Sequence, residues 1–263
     1  MTENTGKIAI VTGGAGGIGA AVCERLARDG FTVVVNYAGS TAAAEALTAR
    51  IESAGGRAVT AQADIADAGQ VARSIKDNGI HFVARYYRKP DSRWPSLTSG
   101  EAKVISSLGL NLVTVWESYS QHRDYFTYGR GYWDAVAAAQ QAKGVGQPAG
   151  SAIYFAVDFD ARGADLVPVD QYFRGITAGL AAASGGKADY KVGVYGSGAV
   201  CDTLKRSRLA EYTWLSNSTA WAGSSSFADW NIRQGRPFAS LGFINHDSNE
   251  ARDDYGGFRL AGL

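Results

Sequence analysis

Short apolar runs alternate with stretches of helical spacing along the whole chain. The first run, Ile8–Val11, precedes a helical stretch, Gly19–Arg28, whose apolar residues fall on one side. The same alternation continues with Phe31–Val35, Thr41–Ala54, Arg57–Ala63 and Asp67–Asn78. Apolar runs without polar alternation are typical of strands buried on both faces. The pattern therefore predicts βα units that build a parallel sheet.

Seven more strands are predicted after residue 80. They are His81–Tyr86, Asn111–Trp116, Ala152–Val157, Lys191–Tyr195, Tyr212–Leu215, Asp229–Gln234 and Gly242–Asn245. The helices predicted between them are Ser99–Leu108, Trp133–Lys143, Val169–Ala183 and Ala199–Ser207. With Arg57–Ala63 these strands make eight, the number that closes a (βα)8 barrel. We therefore predict an α/β chain in which residues 1–56 form a partial dinucleotide-binding, half-Rossmann βαβα segment and residues 57–263 form a TIM-like barrel.

Composition narrows the functional classes. The hydrophobic fraction of 46% and charged fraction of 19% are ordinary for a globular protein. A net charge of +1 gives no overall attraction to nucleic acid or to an anionic membrane. The two cysteines and three histidines have no metal-ligand spacing, so no metal is predicted. No apolar stretch is long enough to span a membrane, and residues 1–7 lack the pattern of a signal peptide, which predicts a cytoplasmic location.

A glycine-rich stretch, residues 12–19, lies between the first strand and the first helix. Gly13 permits a tight turn, Gly17 lets the backbone approach a pyrophosphate, and Gly19 lets the helix pack against the strand. Ile18 in this loop and Asn36 at the end of the second strand complete the candidate cofactor-binding set. This order of strand, loop and helix is typical of a nucleotide-binding fold.

The first 72 residues resemble the N-terminal part of short-chain dehydrogenases/reductases. The resemblance is carried by Thr12, Gly13, Gly17, Ile18, Gly19, the strand end Val33–Tyr37 and Ala63-Asp64. It implies that Asp64 contacts an adenine, and that NADP rather than NAD is the cofactor, because Asn36-Tyr37 replaces an acid. However, none of the 13 tyrosines has a lysine four residues later, so the proton donor of that family is missing. We therefore predict no cofactor and interpret the loop as a structural remnant, with an NADP-dependent reductase as the disfavoured alternative.

Acidic residues follow several of the later strands. They are Glu117, Asp158, Asp160 and Asp247, with Asp64 at the end of the first strand in the barrel count. The carboxyl ends of barrel strands face one mouth, so these acids are predicted to converge there. Crowded carboxylates move one another's pKa values apart, as glycosidic cleavage requires. Taken singly, each acid is equally well explained by helix capping or by pairing with an arginine.

The chain from residue 79 onward resembles a glycoside hydrolase-like family, domain of unknown function 1906, which is related to the family 25 lysozymes. The motifs that carry the resemblance are Phe82–Tyr86, Val115–Glu117, Tyr154–Asp160, Gly193–Gly196 and Asp247–Asn249. The resemblance implies a barrel that acts on or binds peptidoglycan-type glycans and is usually exported. The family's opening Gly-Phe-Asp strand is absent, so Asp64 is predicted to replace its acid. The two resemblances together indicate a fusion or chimera.

The sequence therefore predicts a glycoside hydrolase. We expect Asp160 to be the proton donor, Asp158 the stabilising charge, and Glu117 the base or second acid. Asp64 completes the predicted catalytic set. The predicted substrate-binding residues are Trp116, Tyr195, Trp214, Gln234 and Asp247, with barrel-core packing as the alternative for the three aromatic ones. The alternative function is a non-catalytic glycan-binding barrel.

Overall fold

The computed structural model describes residues 8–11, 13–62, 68–77, 79–235, 239–241, 244–246 and 248–262. The chain divides into two compact units. The first is formed by Met1–Asn78 with Ser240–His246, and the second by Gly79–Ala239 with Asp247–Leu263. None of the described helices is both long enough and apolar enough to cross a membrane.

The first unit is a small parallel sheet with helices between its strands. Its elements are β1 (Ile8–Val11), α1 (Gly17–Arg28), β2 (Thr32–Tyr37), α2 (Thr41–Ser53), β3 (Arg57–Gln62) and α3 (Ala68–Asp77). The strand order is β1-β2-β3, and both pairings are parallel. Val33 and Val35 of β2 pack with Cys23 of α1 and with Leu47 and Ile51 of α2 in one apolar core. The predicted half-Rossmann arrangement is therefore present.

The second unit, here called the barrel unit, is built on a larger curled sheet. Its strands are β4 (Phe82–Tyr87), β5 (Asn111–Trp116), β6 (Ala152–Ala156), β7 (Lys191–Gly196), β8 (Tyr212–Leu215), β9 (Ile232–Gln234) and β12 (Asn249–Ala251). Its helices are α4 (Ser99–Ser107), α5 (Tyr128–Val145), α6 (Leu166–Ala183) and α7 (Gly198–Arg206). The strand order is β12-β9-β8-β7-β6-β5-β4. All neighbours are parallel except β12, which runs antiparallel to β9.

Polar side chains define where the barrel helices begin. The hydroxyls of Thr98, Thr127 and Ser197 accept hydrogen bonds from backbone N–H groups in the first turns of α4, α5 and α7. Helix α5 ends at Gly146, which adopts a left-handed conformation with φ 88°. These caps fix the loops that precede each helix, and those loops follow the carboxyl ends of the strands.

The described structure differs from the predicted (βα)8 count at its first and last strands. The strand counted as the first of the barrel, Arg57–Ala63, corresponds to β3 and pairs with β2 in the first unit. The chain division at residues 78 and 79 accordingly differs from the predicted one at 56 and 57. Of the predicted last strand, Gly242–Asn245, the described residues belong to β11 (Ile244–His246), which pairs with β10 (Ala239–Leu241) in a separate two-stranded sheet. Within the described residues the larger sheet has seven strands rather than eight.

Candidate active site at the carboxyl ends of β5 and β6

Glu117 lies directly after β5, at the carboxyl end of the strand. Its carboxylate Oε2 is 3.6 Å from Nη2 of Arg88, which follows β4, and its side chain is 25% exposed. The backbone of Arg88 is fixed by Gln141 of α5, whose side-chain amide accepts from the Arg88 N–H at 3.1 Å and donates to its carbonyl at 2.5 Å. Two adjacent strand ends therefore bring one acid and one cation together.

Asp158 follows β6, the next strand in the sheet. Its Oδ2 accepts a hydrogen bond from Nε2 of Gln121 at 3.0 Å, and its backbone N–H donates to the carbonyl of Ser120 at 2.8 Å. Gln121 and Ser120 both belong to the segment between β5 and α5. The loop after one acid-bearing strand thus holds the acid of the next strand.

The environments of Glu117 and Asp158 raise both pKa values. Burial is the main cause of the raised pKa of Glu117; the Arg88 guanidinium opposes it, and the charge of Asp158 adds to it. Burial also raises the pKa of Asp158, against the hydrogen bond from Gln121. The charge of Asp158 therefore adds to the effect of burial on Glu117.

Asp160, the predicted proton donor, lies in different surroundings. Its Oδ1 accepts a hydrogen bond from the backbone N–H of Ala222 at 2.8 Å, and its Oδ2 forms an ion pair with the guanidinium of Arg162. These contacts connect the segment after β6 to the segment after β8. Both oxygens are therefore engaged by partners within the protein.

The predicted substrate-binding residues fall into two groups. Tyr195 and Gln234 meet at the ends of β7 and β9, where the tyrosine hydroxyl donates to the amide oxygen at 2.9 Å. Trp116 and Trp214 are only 1% and 6% exposed. A buried indole presents no face to a sugar, so the structure places both tryptophans in the core, the alternative given for them. More exposed aromatic side chains lie in the loops after β4 and β5, at Trp94 and Tyr119, which are 59% and 65% exposed.

Two of the predicted acids, Asp64 and Asp247, lie outside the described residues. Their places in the catalytic and substrate-binding sets stay predictions. Across the described ranges, no group of three or more His, Cys, Asp or Glu side chains is arranged to hold a metal ion.

Several polar residues of the site carry no sequence signal. Arg88 and Gln121 lie in irregular loops and reach the acids only through the fold. Tyr125 and Asp134 form a buried pair in which the tyrosine hydroxyl donates to the carboxylate. A single aspartate on an apolar helix face is the one trace of that pair in the sequence, because charged residues are rarely buried without partners.

The glycine loop of the first unit keeps the geometry of a dinucleotide-binding turn. Gly13 and Gly17 have φ angles of 65° and 43°, which residues other than glycine rarely adopt. A Cβ on Gly19 would lie 2.3 Å from the carbonyl oxygen of Gly13, so the close packing of helix α1 against the glycine turn needs glycine there. Ile18 is exposed, whereas Asn36 is buried and its amide donates to the carbonyl of Ala61 at 3.2 Å. The sequence has no Tyr-x-x-x-Lys pair, which a reductase of this family requires.

Comparison with known proteins matches each part of the chain to a different family. The model of the Rv2525c-like, glycoside hydrolase-like domain matches residues 73–254, and that of short chain dehydrogenases matches residues 7–81. Both predicted resemblances are therefore confirmed.

Individual relatives show the same division. An uncharacterized oxidoreductase of Methylorubrum extorquens is 46% identical over 85 residues, which are 32% of this chain and 34% of that protein. The uncharacterized protein FadG of Bacillus subtilis is 33% identical over 160 residues, which are 59% of this chain and 27% of that protein. The chain thus spans about a third or less of these curated relatives.

A solved structure supports the fold of the barrel unit. The Tat-secreted protein Rv2525c of Mycobacterium tuberculosis, in complex with L-tartrate, is similar with a TM-score of 0.55 and 21% identity. The match covers 71% of this chain and 92% of that one. The family model covers most of the chain, and the sheet of the barrel unit has the matching fold. The chain therefore belongs to the Rv2525c-like, glycoside hydrolase-like domain family, with a segment of the short chain dehydrogenase type before the barrel unit.

Proposed function

We propose that the barrel unit hydrolyses glycosidic bonds in peptidoglycan-type glycans, with Glu117 and Asp158 as the reacting pair. The observation that carries this proposal is that two neighbouring strand ends present carboxyls whose pKa values are both raised. Acid-catalysed cleavage of a glycosidic bond needs one protonated and one ionised carboxyl near neutral pH.

The surroundings of the pair suggest how the roles divide. Arg88 faces Glu117 and favours its ionised form, so Glu117 is assigned to stabilise the cationic transition state or to activate water. Asp158 has the amide of Gln121 as its hydrogen-bond partner, and burial favours its protonated form. Asp158 is therefore assigned to protonate the leaving oxygen. This assignment differs from the predicted one, in which Asp160 is the donor, because Ala222 and Arg162 engage the Asp160 carboxylate.

The test compares three variants, Glu117→Gln, Asp158→Asn and Asp160→Asn, in a reducing-end assay on purified peptidoglycan. Loss of a general acid or base is expected to reduce turnover about 10²–10⁴-fold in the first two variants, with binding of soluble glycan fragments retained. Asp160→Asn is expected to keep most of its turnover. A loss confined to Asp160→Asn would instead restore the predicted proton donor.

The second candidate is a non-catalytic glycan-binding barrel. It is favoured by Asp160, whose carboxylate is used for contacts between loops, as in a structural network. Glycan binding by the parent protein without any release of reducing ends would establish this alternative.

Two further points concern where the protein acts and whether the first unit binds a cofactor. The Mycobacterium tuberculosis relative is described as Tat-secreted, which supports a substrate outside the cytoplasm for a barrel of this kind. For the first unit we propose no cofactor. Saturable binding in a titration with millimolar NADPH would contradict that proposal.

A further inference from the structure

Tyr125 and Phe126 lie where the chain passes from the loop after β5 into α5. Tyr125 ends a short 3-10 helix, Arg123–Tyr125, and Phe126 is fully buried. The ring of Phe126 lies 5.5 Å from that of Phe159, centroid to centroid. Because Phe159 stands between Asp158 and Asp160, this contact joins the end of the β5 loop to the acid-bearing segment after β6.

The hydroxyl of Tyr125 is held from outside the loop. It donates a hydrogen bond to Oδ2 of Asp134 on α5, and the hydroxyl of Tyr172 on α6 donates to the same oxygen at 2.8 Å. Asp134 is 3% exposed, so its carboxylate depends on these donors for its solvation. The buried acid therefore fixes the direction in which the Tyr125 hydroxyl points.

The same hydroxyl lies beside the residues that flank Glu117. Burial, followed by the charge of Asp134, raises the pKa of Tyr125, and the polar side-chain atoms of the nearby Ser118 and Trp116 oppose that rise. The Trp116 indole N–H has no hydrogen-bond partner among the described residues. Ser118 and Trp116 are the two sequence neighbours of Glu117. The side chains on both sides of Glu117 therefore lie near the Tyr125 hydroxyl.

The β5 loop also reaches Asp158. Ser120 accepts the backbone N–H of Asp158 at 2.8 Å, and Gln121 donates to its carboxylate at 3.0 Å. One loop therefore touches both carboxyls of the proposed pair, and its far end is anchored at Tyr125.

Two cationic side chains lie near the Tyr125–Asp134 pair. Lys89 and Arg130 face Asp134; they and the two tyrosine hydroxyls oppose the rise in its pKa that burial causes. The Lys89 ammonium also lies over the ring of Tyr125, 5.4 Å from its centroid. Asp134 has no contact with the reacting carboxyls themselves in the hydrogen-bond and ion-pair geometry of the described residues. A role through Tyr125 accounts for a buried acid at this place.

We propose that Tyr125, held by Asp134, is a positioning residue that sets the placement of the Glu117 and Asp158 carboxyls relative to each other. This inference rests on the proposed function, since it explains how the pair is kept in place. Neither Tyr125 nor Asp134 exchanges a proton with substrate.

The test uses two matched variants of the full chain, Tyr125→Phe and Tyr172→Phe. Each removes one hydroxyl that donates to the same oxygen of Asp134, and each keeps its ring. Of the two tyrosines, only Tyr125 lies on the loop whose Ser120 and Gln121 contact Asp158. The readouts are the pKa of Glu117, from carbon-detected NMR titration of the carboxyl, and kcat and KM for reducing-end release.

We expect Tyr125→Phe to lower the pKa of Glu117, because a looser turn admits water and relieves the effect of burial; Arg88 and Asp158, the charged groups that face Glu117, are unchanged in sequence. The value of kcat is expected to fall about 10–100-fold with KM little changed, as for misplaced reacting groups. Tyr172→Phe should have a smaller effect on both. Asp134→Asn, which keeps the shape and one acceptor oxygen, should follow Tyr125→Phe in direction.

The outcomes separate this inference from the proposed function. An unchanged pKa of Glu117 in folded Tyr125→Phe, or an equal change in Tyr172→Phe, overturns the positioning role whether or not the parent hydrolyses glycan. A parent that does not hydrolyse glycan, with the expected change of pKa in Tyr125→Phe, supports the positioning role and removes the hydrolase function.

Discussion

The ionisation of Glu117 depends on a balance between burial and one arginine. Burial alone disfavours the carboxylate, whereas the Arg88 guanidinium 3.6 Å away favours it. Arg88 itself is placed through its backbone, which Gln141 holds by two hydrogen bonds. The side chain of Arg88 can therefore be changed without releasing the end of β4 from α5.

Replacing Arg88 by Gln is expected to raise the pKa of Glu117 further, because the opposing positive charge is lost while burial remains. The acidic limb of the pH–activity profile should then move to higher pH, since ionised Glu117 is proposed to act in the reaction. Arg85→Gln is the matched control. Arg85 lies on β4, three residues before Arg88, but pairs with Glu101, at 2.5 and 3.0 Å. Equal displacement of the profile in both variants, or none in Arg88→Gln, would argue against the balance described.

At the scale of single residues, the sequence located the acids but not their partners. Glu117 and Asp158 could be found because each follows an apolar run whose end defines the mouth of a barrel. Arg88 and Gln121 come from loops without periodicity, and their contacts arise only when neighbouring strands are aligned. The proposed exchange of roles between Asp158 and Asp160 depends on those contacts, so no pattern in the sequence could have given it.

At the scale of elements, helices α5 and α6 are held together by an unusually close crossing. A Cβ on Gly131 would lie 2.0 Å from the carbonyl oxygen of Tyr172, and one on Gly175 would lie 2.1 Å from that of Tyr128. The backbones can approach this closely only because both residues lack a side chain. The crossing brings Asp134 of α5 within reach of the Tyr172 hydroxyl of α6.

Gly175→Ala is therefore expected to destabilise the barrel unit by about 1–3 kcal/mol, because the added methyl group forces the two helices apart. Gly144→Ala is the matched control in α5. A Cβ at Gly144 meets nothing within 4 Å. Alanine there should therefore stabilise the helix by about 0.5–1 kcal/mol, because it loses less conformational entropy on folding than glycine does. Unfolding in denaturant measures both changes in the free energy of unfolding. An unchanged value for Gly175→Ala would show that the crossing accommodates an additional methyl group.

Elements with a strong apolar pattern were predicted well, and the short late strands were not. Strands β5 and β8 have the bounds that the sequence predicts, since each is an apolar run buried on both faces. Strand β12, of three residues, is polar at Asn249 and Glu250 and pairs antiparallel at the edge of the sheet. An edge strand of that length has no apolar periodicity, so the sequence offered no signal for it.

At the scale of the whole molecule, the two units differ in the composition of their described apolar clusters and in tryptophan content. The core of the first unit is built from small and aliphatic side chains with Tyr37, whereas the barrel core contains Tyr154 and Trp214. All six tryptophans lie between residues 94 and 230. Tryptophan fluorescence therefore reports on the barrel unit.

The sheet that each strand joins could not be predicted from the sequence. Arg57–Gln62 is a strand in both interpretations, and its apolar pattern is the same in either sheet. Its partner is decided by register, in which Val33 aligns with Ala58 and Val35 with Thr60. Local pattern predicts the existence of a strand but not which sheet it joins.

The raised pKa of Asp158 predicts a dependence of stability on pH. An acid whose pKa is higher in the folded than in the unfolded protein adds stability below its ordinary pKa, about 3.9, and that stability is lost as the pH rises through the folded value. Asp158→Asn has no charge to bury and keeps an oxygen that accepts from Gln121. The variant should therefore be more stable than the parent at neutral pH, and the difference should vanish in acid.

Asp160→Asn serves as the comparison, because it loses the ion pair with Arg162 and should gain no stability at neutral pH. Unfolding in denaturant, followed by tryptophan fluorescence at several pH values, measures all three proteins. A pH-independent difference for Asp158→Asn would mean that its carboxylate is well solvated in the folded state. In that case burial could not supply the protonated acid that the proposed reaction needs, so this measurement of stability also tests the proposed chemistry without a substrate.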